Sequence, residues 1–235
     1  MNALTVLPLE GLPEIEPGDD LAGMIVQACA DLPASDGDVL VVTQKIVSKA
    51  ENRLVDIDAD DPLSHKPIVE REAVRVLRRR GDLLITETAH GFVCANSGVD
   101  LSNVAAGQAA LLPVDPDRSA RRIRNRVRGA LGIEVGVVIS DTFGRTWRRG
   151  VTDVAIGSAG VRPVLDLRGT NDALGRELAV TEVAIVDEIA AAAELVMGKA
   201  RGIPAAVVRG IDPDWFGDGS VVDDVVRRPG EDLFR

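Results

Sequence analysis

Two uninterrupted apolar runs stand out in the pattern of hydrophobic and polar positions. Residues 38–43 (DVLVVT) and 134–141 (EVGVVISD) have the length of strands, and neither alternates between apolar and polar side chains. This pattern is typical of strands that are buried on both faces of a sheet. Residues 3–9 and 205–209 are further strand candidates. The sequence therefore predicts a sheet whose central strands are covered on both sides.

Helical periodicity and end signals predict four helices among these strands. Asp19 or Asp20 can cap the first helix, and Gly202 and Pro204 follow the alanine-rich last one. The predicted helices cover residues 21–32, 67–80, 119–131 and 180–199.

Other predicted strands follow one another without a helix in between. Residues 83–88 and 91–95 have the pattern of a hairpin, and residues 151–158 and 163–168 come directly after the strand at 134–141. A regular doubly wound sheet does not have such runs of consecutive strands. We therefore predict an α+β fold with mixed sheets and interleaved helices.

The composition indicates a globular protein with an acidic surface. Of the 235 residues, 46% are hydrophobic and 3% aromatic, and 27 Lys and Arg against 37 Asp and Glu give a net charge of −10. These values exclude a disordered chain and argue against a nucleic-acid partner. No apolar run reaches the roughly 20 residues of a membrane span, and the first residues do not resemble a signal peptide. We expect a cytoplasmic protein with no membrane partner, in which Cys29 and Cys94 are buried free thiols.

The most informative segment for chemistry covers residues 139–160 (ISDTFGRTWRRGVTDVAIGSAG). The buried strand delivers Asp141 and Thr142 to its carboxyl end, where open sheets usually place ligands. Glycines let the backbone approach an anion closely, and Arg145, Arg148 and Arg149 offer donors suited to phosphate. A metal ligand at Asp141 beside a phosphate site is one interpretation. A solvated arginine loop that follows a capping aspartate is the other.

A second carboxylate, Asp100, lies in the turn-forming run NSGVDLSN at residues 96–103. Isolated aspartates with neighbouring amide and hydroxyl oxygens suit Mg²⁺ or Mn²⁺, although a simple Asx-rich turn has the same composition. Familiar nucleotide motifs are missing. Around Gly198 and Lys199, a Walker A loop would need Gly where Ala193 stands and Ser or Thr where Ala200 stands. The GxGxxG motif does not occur either. The six arginines between residues 118 and 128 favour a solvated or subunit-facing surface over RNA binding.

Six long blocks of the sequence carry a family resemblance, namely LPLEGLPEIEPGDDL, DVLVVTQKIVSKAE, VCANSGVDLSN, VVISDTFGRTWRRGVTDVAIGSAG, GRELAVTEVAIVDEIAAAAELVMGKA and PAAVVRG. They resemble the CofE family of coenzyme F420-0:L-glutamate ligases, also called γ-glutamyl ligases. The resemblance runs from about residue 5 to about residue 211. It is closest to the ligase domain that actinobacterial members fuse to a flavin-binding, nitroreductase-like domain. We take residues 1–235 as one ligase domain, and both a stand-alone ligase and an excised domain remain open.

The resemblance implies a GTP- and metal-dependent amide ligase with two intertwined subdomains that forms a homodimer. Its substrates would be L-glutamate, GTP and coenzyme F420-0 or its dehydro form, and its ions two Mg²⁺ or Mn²⁺, with K⁺ as a further candidate. GTP would phosphorylate the phospholactyl carboxylate, and the amine of glutamate would displace phosphate from the acyl phosphate. The product would be F420-1, with further γ-glutamyl units added on repetition. The opposing hypothesis is a non-catalytic nucleotide- or deazaflavin-binding module that serves a reductase.

The resemblance also assigns residues to roles. Asp141 and Arg145 would be catalytic. The metal ligands would be Asp100, Asp141 and Thr142. Nucleotide contacts would come from four parts of the chain, namely Leu12, Pro13, Glu14 and Ile15; Gln44, Lys45 and Lys49; Asn103; and Met197, Gly198 and Lys199. One departure matters, since Lys199 stands where some members carry a metal-binding acid in a glycine-rich loop.

Overall fold

The computed structural model describes residues 3–233 as twelve strands and five α-helices. The strands are β1 (Thr5–Pro8), β2 (Val39–Thr43), β3 (Leu54–Asp56), β4 (Ala73–Arg80), β5 (Leu83–Thr88), β6 (Val93–Ala95), β7 (Gln108–Ala110), β8 (Gly136–Gly144), β9 (Val151–Ala159), β10 (Leu165–Asp166), β11 (Glu182–Val183) and β12 (Ala205–Arg209). The helices are α1 (Leu21–Asp31), α2 (Gln44–Ala50), α3 (Lys66–Glu72), α4 (Pro116–Leu131) and α5 (Ile185–Met197).

A five-stranded sheet in the order β1-β12-β2-β8-β9 forms the centre of the molecule. Strands β2 and β8 are parallel, and the other neighbours in this sheet are antiparallel. The two apolar runs form β2 and β8, and their side chains from Val39 to Val42 and from Val137 to Ile139 are fully buried. Helices α1, α4 and α5 contribute their apolar faces to the same core. The prediction of central strands that are covered on both sides is confirmed.

A second, smaller core lies beside the main one. It contains Ile68 and Val69 of α3, Leu84 of β5 and residues near β7. Strands β4, β5 and β6 form an antiparallel three-stranded sheet, and β3 pairs with β7. Helices combined with separate mixed and antiparallel sheets confirm the α+β prediction.

The predicted helix at residues 67–80 is wrong in its second half. Helix α3 ends at Glu72, and the chain continues as β4, which pairs with β5 from Ala73 opposite Thr88 to Arg80 opposite Leu83. The predicted strand at residues 83–88 needs a second neighbour besides β6, and β4 supplies it. Tertiary pairing therefore overrides a local helical periodicity.

Helix ends follow the expected chemistry at α1 and begin earlier at α4. The Gly23 N–H donates to Asp20 Oδ1 at 3.0 Å, so Asp20 rather than Asp19 caps α1. Helix α4 begins at Pro116 instead of residue 119, because Asp115 accepts a hydrogen bond from the Arg118 N–H at 2.9 Å. Cys29 and Cys94 are buried free thiols, as predicted. Between residues 3 and 233, no helix is both long and apolar enough to cross a membrane.

Candidate active site

A cavity of about 400 Å³ lies at the carboxyl ends of β2 and β8. Because these strands are parallel, both ends reach the same edge of the sheet. The segment before α1, the start of α2, the turn after Asp100 and the end of α5 complete the walls. All of the site residues predicted from the sequence except Arg145 line this cavity, namely Leu12, Pro13, Glu14, Ile15, Gln44, Lys45, Lys49, Asp100, Asn103, Asp141, Thr142, Met197, Gly198 and Lys199.

The structure does not bring Arg145 to the cavity. We predicted that the strand ends at Asp141, but β8 continues to Gly144. At about 3.3 Å per residue, four further residues place Arg145 roughly 13 Å along the strand from Asp141. Arg145 is exposed, and its guanidinium donates to the Arg149 carbonyl at 3.3 Å. None of Arg145, Arg148 and Arg149 lines the cavity, so the predicted arginine cluster is not part of its wall. The positive charges of the wall belong to lysines instead.

Asp141 is a partly buried carboxylate in the wall of the cavity. Its pKa is raised to about 7, chiefly by burial and in smaller part by the negative charges of Asp100 and Asp153. The Thr142 N–H, which donates to Asp141 Oδ1 at 2.8 Å, and the Lys199 ammonium act in the opposite direction. The sequence alone does not show whether Asp100 and Asp141 meet in space. In the structure both carboxylates line the same cavity.

Asp100 is held by its own turn and by a lysine. The Ser102 N–H donates to Asp100 Oδ1 at 2.7 Å, and the Lys45 ammonium lies 2.7 Å from Asp100 Oδ2. Burial raises the pKa of Asp100, but the hydrogen bonds from Lys45 and Ser102 outweigh it, and the pKa is below its usual value. Asn103 follows in the left-handed region with a φ of 52°, which completes the tight turn.

Sequence reasoning missed Asp153, which lies in β9 and also lines the cavity. Asp153 is 2% exposed, and both of its oxygens accept hydrogen bonds from hydroxyls of β8. Ser140 Oγ donates to Oδ2 at 2.9 Å, and Thr142 Oγ1 donates to Oδ1 at 2.6 Å. The proton of the Thr142 hydroxyl is therefore committed to Asp153, and the lone pairs of Oγ1 stay free for a cation. The sequence did hold a signal for Asp153, because it is the one charged residue in the strand VTDVAIGSA.

Further polar residues complete the wall of the cavity. The Lys49 ammonium contacts a carboxylate oxygen of Glu14, although Lys49 itself is 7% exposed. Glu194, a second acid that sequence reasoning missed, lines the cavity near Lys199, and burial raises its pKa. Gln44 is 1% exposed, and its Oε1 lies 2.7 Å from Ser48 Oγ. The positively charged residues of the cavity wall are Lys45, Lys49 and Lys199.

Comparison with known proteins identifies the family. Residues 11–210 match the family model described as F420-0:gamma-glutamyl ligase. This chain belongs to the F420-0:γ-glutamyl ligase family. Because every residue that lines the cavity lies within the matched segment, the site belongs to the part of the chain that defines this family. The resemblance seen in the sequence is thereby confirmed, and the chain is a ligase.

Three curated relatives of this ligase are full-length matches, and each is named coenzyme F420:L-glutamate ligase. The protein from Methanopyrus kandleri is 43% identical over 255 residues, which covers 100% of both chains. The protein from Archaeoglobus fulgidus is 42% identical over 244 residues, or 98% of this chain and 96% of the relative. The protein from Methanothermobacter thermautotrophicus is 39% identical over 249 residues, or 99% of each chain.

The donor set of the ligase fits a hard divalent cation that is completed by other ligands. Among residues 3–233, no group of three or more His, Cys, Asp and Glu side chains could hold a metal ion by itself. The carboxylates of Asp100 and Asp141 and the hydroxyl of Thr142 are oxygen ligands of the kind that Mg²⁺ and Mn²⁺ prefer. Mg²⁺ is commonly bound by one or two carboxylates together with water and substrate phosphates. The residues present therefore fit an ion that is shared with a phosphorylated ligand.

Proposed function

We propose that this ligase joins L-glutamate to the phospholactyl carboxylate of coenzyme F420-0, with GTP as the energy source, and releases GDP and phosphate. The main support is one cavity that combines three lysine ammonium groups with two carboxylates and a hydroxyl suited to a divalent cation. The names of the relatives support the substrates of the proposal, F420 and L-glutamate. F420-1 would be the first product, and repeated cycles would give longer γ-glutamyl chains.

The proposed chemistry follows from the low reactivity of a carboxylate towards an amine. A carboxylate oxygen of F420-0 attacks the γ-phosphorus of GTP, the bond to the β-phosphate oxygen breaks, and GDP leaves. The amine of glutamate then attacks the acyl carbon, loses a proton, and expels inorganic phosphate as the amide forms. Such a transfer depends on positioning and on neutralisation of the charge on the phosphate oxygens.

Most polar groups of the cavity have a place in this scheme. The ammonium groups of Lys49 and Lys199 bind phosphate oxygens, and residues 12–15 and Asn103 hold the rest of the nucleotide. Asp100, Asp141 and Thr142 would hold Mg²⁺ or Mn²⁺, which when bound neutralises phosphate charge. Asp153 fixes the hydroxyl of Thr142 through the hydrogen bond at 2.6 Å.

Mass spectrometry of the deazaflavin tests this function. Incubation of the protein with F420-0, GTP, Mn²⁺ and L-glutamate should add one or more glutamyl units, and phosphate release should require both glutamate and F420-0. Parallel reactions without GTP, or with ATP in its place, test the nucleotide. The dehydro form of F420-0, offered in competition, identifies the preferred acceptor. Saturable binding of coenzyme or nucleotide without turnover would instead support a non-catalytic binding module.

We also propose that the ligase is a homodimer. The sheet formed by β4, β5 and β6 exposes four large apolar side chains to solvent, namely Val74, Val76, Leu83 and Val93. Val74 and Val76 both lie on β4, which is an edge strand of this sheet, and an exposed apolar edge is a surface that a partner can cover. We call these two side chains the apolar patch. A second copy of this chain is the partner that the family resemblance implies.

A further inference from the structure

Lys45 occupies an unusual position in the cavity. Its ammonium nitrogen lies 2.7 Å from Asp100 Oδ2, 2.5 Å from the Ser102 carbonyl oxygen and 2.7 Å from Ser102 Oγ. A carboxylate, a backbone carbonyl and a hydroxyl that converge on one point are the ligand types of a hard cation. The Lys45 side chain is only 14% exposed, so protein atoms surround the charge on most sides.

The other lysines of the cavity do not show this arrangement. The Lys49 ammonium pairs with the carboxylate of Glu14, and the side chain of Glu14 is 78% exposed. Lys199 acts on Asp141 and Glu194 through its charge. Of the cavity lysines, only Lys45 is recorded with three oxygens from one turn of the chain.

We propose that the ammonium of Lys45 is a built-in cation of this site, held by Asp100 and Ser102 in the place of a metal ion, so that the cavity takes one divalent ion instead of two. The catalytic role of the bound ion rests on the proposed function. The number of ions that the folded chain binds does not depend on it.

The remaining ligands are sufficient for one ion. Asp100 gives one lone pair of Oδ2 to Lys45 and one of Oδ1 to the Ser102 N–H, and each oxygen has a second lone pair. Asp141 accepts its recorded hydrogen bond on Oδ1. One divalent ion between Asp100 and Asp141, with the Thr142 hydroxyl, therefore uses oxygens that Lys45 leaves free. A second ion on the outer side of Asp100 would have to displace the ammonium.

The placement of the cavity acids points the same way. Five acids line the cavity, namely Glu14, Asp100, Asp141, Asp153 and Glu194, yet among residues 3–233 no three acid, His or Cys side chains are placed to hold a metal ion together. Asp153 is 2% exposed and holds the hydroxyls of Ser140 and Thr142, so its place in the site is to position Thr142.

Counting bound Mn²⁺ tests the proposal. Equilibrium dialysis of the whole chain against Mn²⁺ alone, with free Mn²⁺ measured by electron paramagnetic resonance, should give one ion per chain. Lys45→Met removes the ammonium and frees the oxygens of Asp100 and Ser102, so this variant should bind two. Lys45→Gln gives a second measurement if the first variant does not fold, as judged by circular dichroism.

Lys49→Met is the matched control. It removes one positive charge from the same cavity but frees no set of three converging oxygens, so its count should stay at one. Two ions or none in the wild-type chain, an unchanged count in a folded Lys45 variant, or a second ion in the Lys49 variant would each overturn the proposal. Since the count needs no turnover, an inactive chain would refute the proposed function without changing this result.

Discussion

At the scale of single residues, Asp141 connects the fold to the proposed chemistry. It follows Ser140, the last buried residue of β8, and its partial burial is the main reason for its raised pKa. A carboxylate kept out of water in this way is costly unless another charge meets it. In the proposed function, a cation shared with phosphate is that partner.

Replacing Asp141 with Asn tests this role. The amide oxygen can still accept from the Thr142 N–H, so the fold should be retained, but the negative charge is lost. We expect turnover in the glutamylation assay to fall by at least about 100-fold, as is typical when a charged group at the reacting phosphate is removed. Thermal unfolding by circular dichroism should be close to that of the wild type. Full activity in the folded variant would remove Asp141 from the site.

The sequence predicts some of these residues and not others for a physical reason. Asp100 and Asp141 stand in a turn and near a strand end, where side chains commonly meet ligands. Asp153 stands within a strand, and its partners depend on register. A shift of register between Ile139 and Ser140 in the pairing of β8 with β9 decides which side chains meet. Such a shift leaves no periodic signal in the sequence.

At the scale of elements, the contact between β9 and the start of α4 leaves no room for a side chain at Gly157. A Cβ on Gly157 would lie 2.4 Å from the Pro116 carbonyl carbon and 2.6 Å from the Pro116 carbonyl oxygen. The atoms in the way belong to the backbone of a helix that Asp115 caps. The helix therefore cannot give way without loss of its own hydrogen bonds.

Gly157→Ala should destabilise the protein by about 1–3 kcal/mol, the usual cost of overpacking. For a chain of this length that corresponds to a decrease in Tm of roughly 2–12 °C. Gly144→Ala is the control, because a Cβ there meets nothing within 4 Å and the change should leave Tm nearly unaltered. Equal melting temperatures for the two variants in differential scanning calorimetry would show that β9 and α4 can move apart.

Prediction from the sequence succeeded for the strands that are fully buried. It failed for segments whose secondary structure depends on pairing with another strand. The strands β2 and β8 lie within their predicted ranges apart from the extension of β8 to Gly144. The helix predicted at residues 180–199 is shorter, since α5 begins at Ile185 and the preceding residues pair as β11 with β10. The extension of β8 also explains the misplacement of Arg145, because its position depends on where the strand stops.

At the scale of the whole molecule, the exposed patch on the small sheet gives the proposed dimer a test. Analytical ultracentrifugation of the chain should give twice the mass of one copy. Val74→Asp places a charge on the patch, where the side chain is 69% exposed, and should shift the protein towards the monomer. Leu174→Asp changes a side chain that is 81% exposed and lies outside the patch, so it should leave the mass unchanged. A monomeric wild type would contradict the dimer.

The order of strands in the central sheet has a consequence for synthesis on the ribosome. Strand β1 comes before every other strand of the described chain, yet it pairs with β12 alone, and β12 also separates it from β2. The chain must therefore keep β1 unpaired until about 200 further residues have been made. The cavity cannot close earlier either, since its wall includes Pro204, the residue before β12. The site of a nascent chain should consequently form in one late step of folding. Before that step the apolar strands are unpaired, and this is when a chaperone would be needed to shield them.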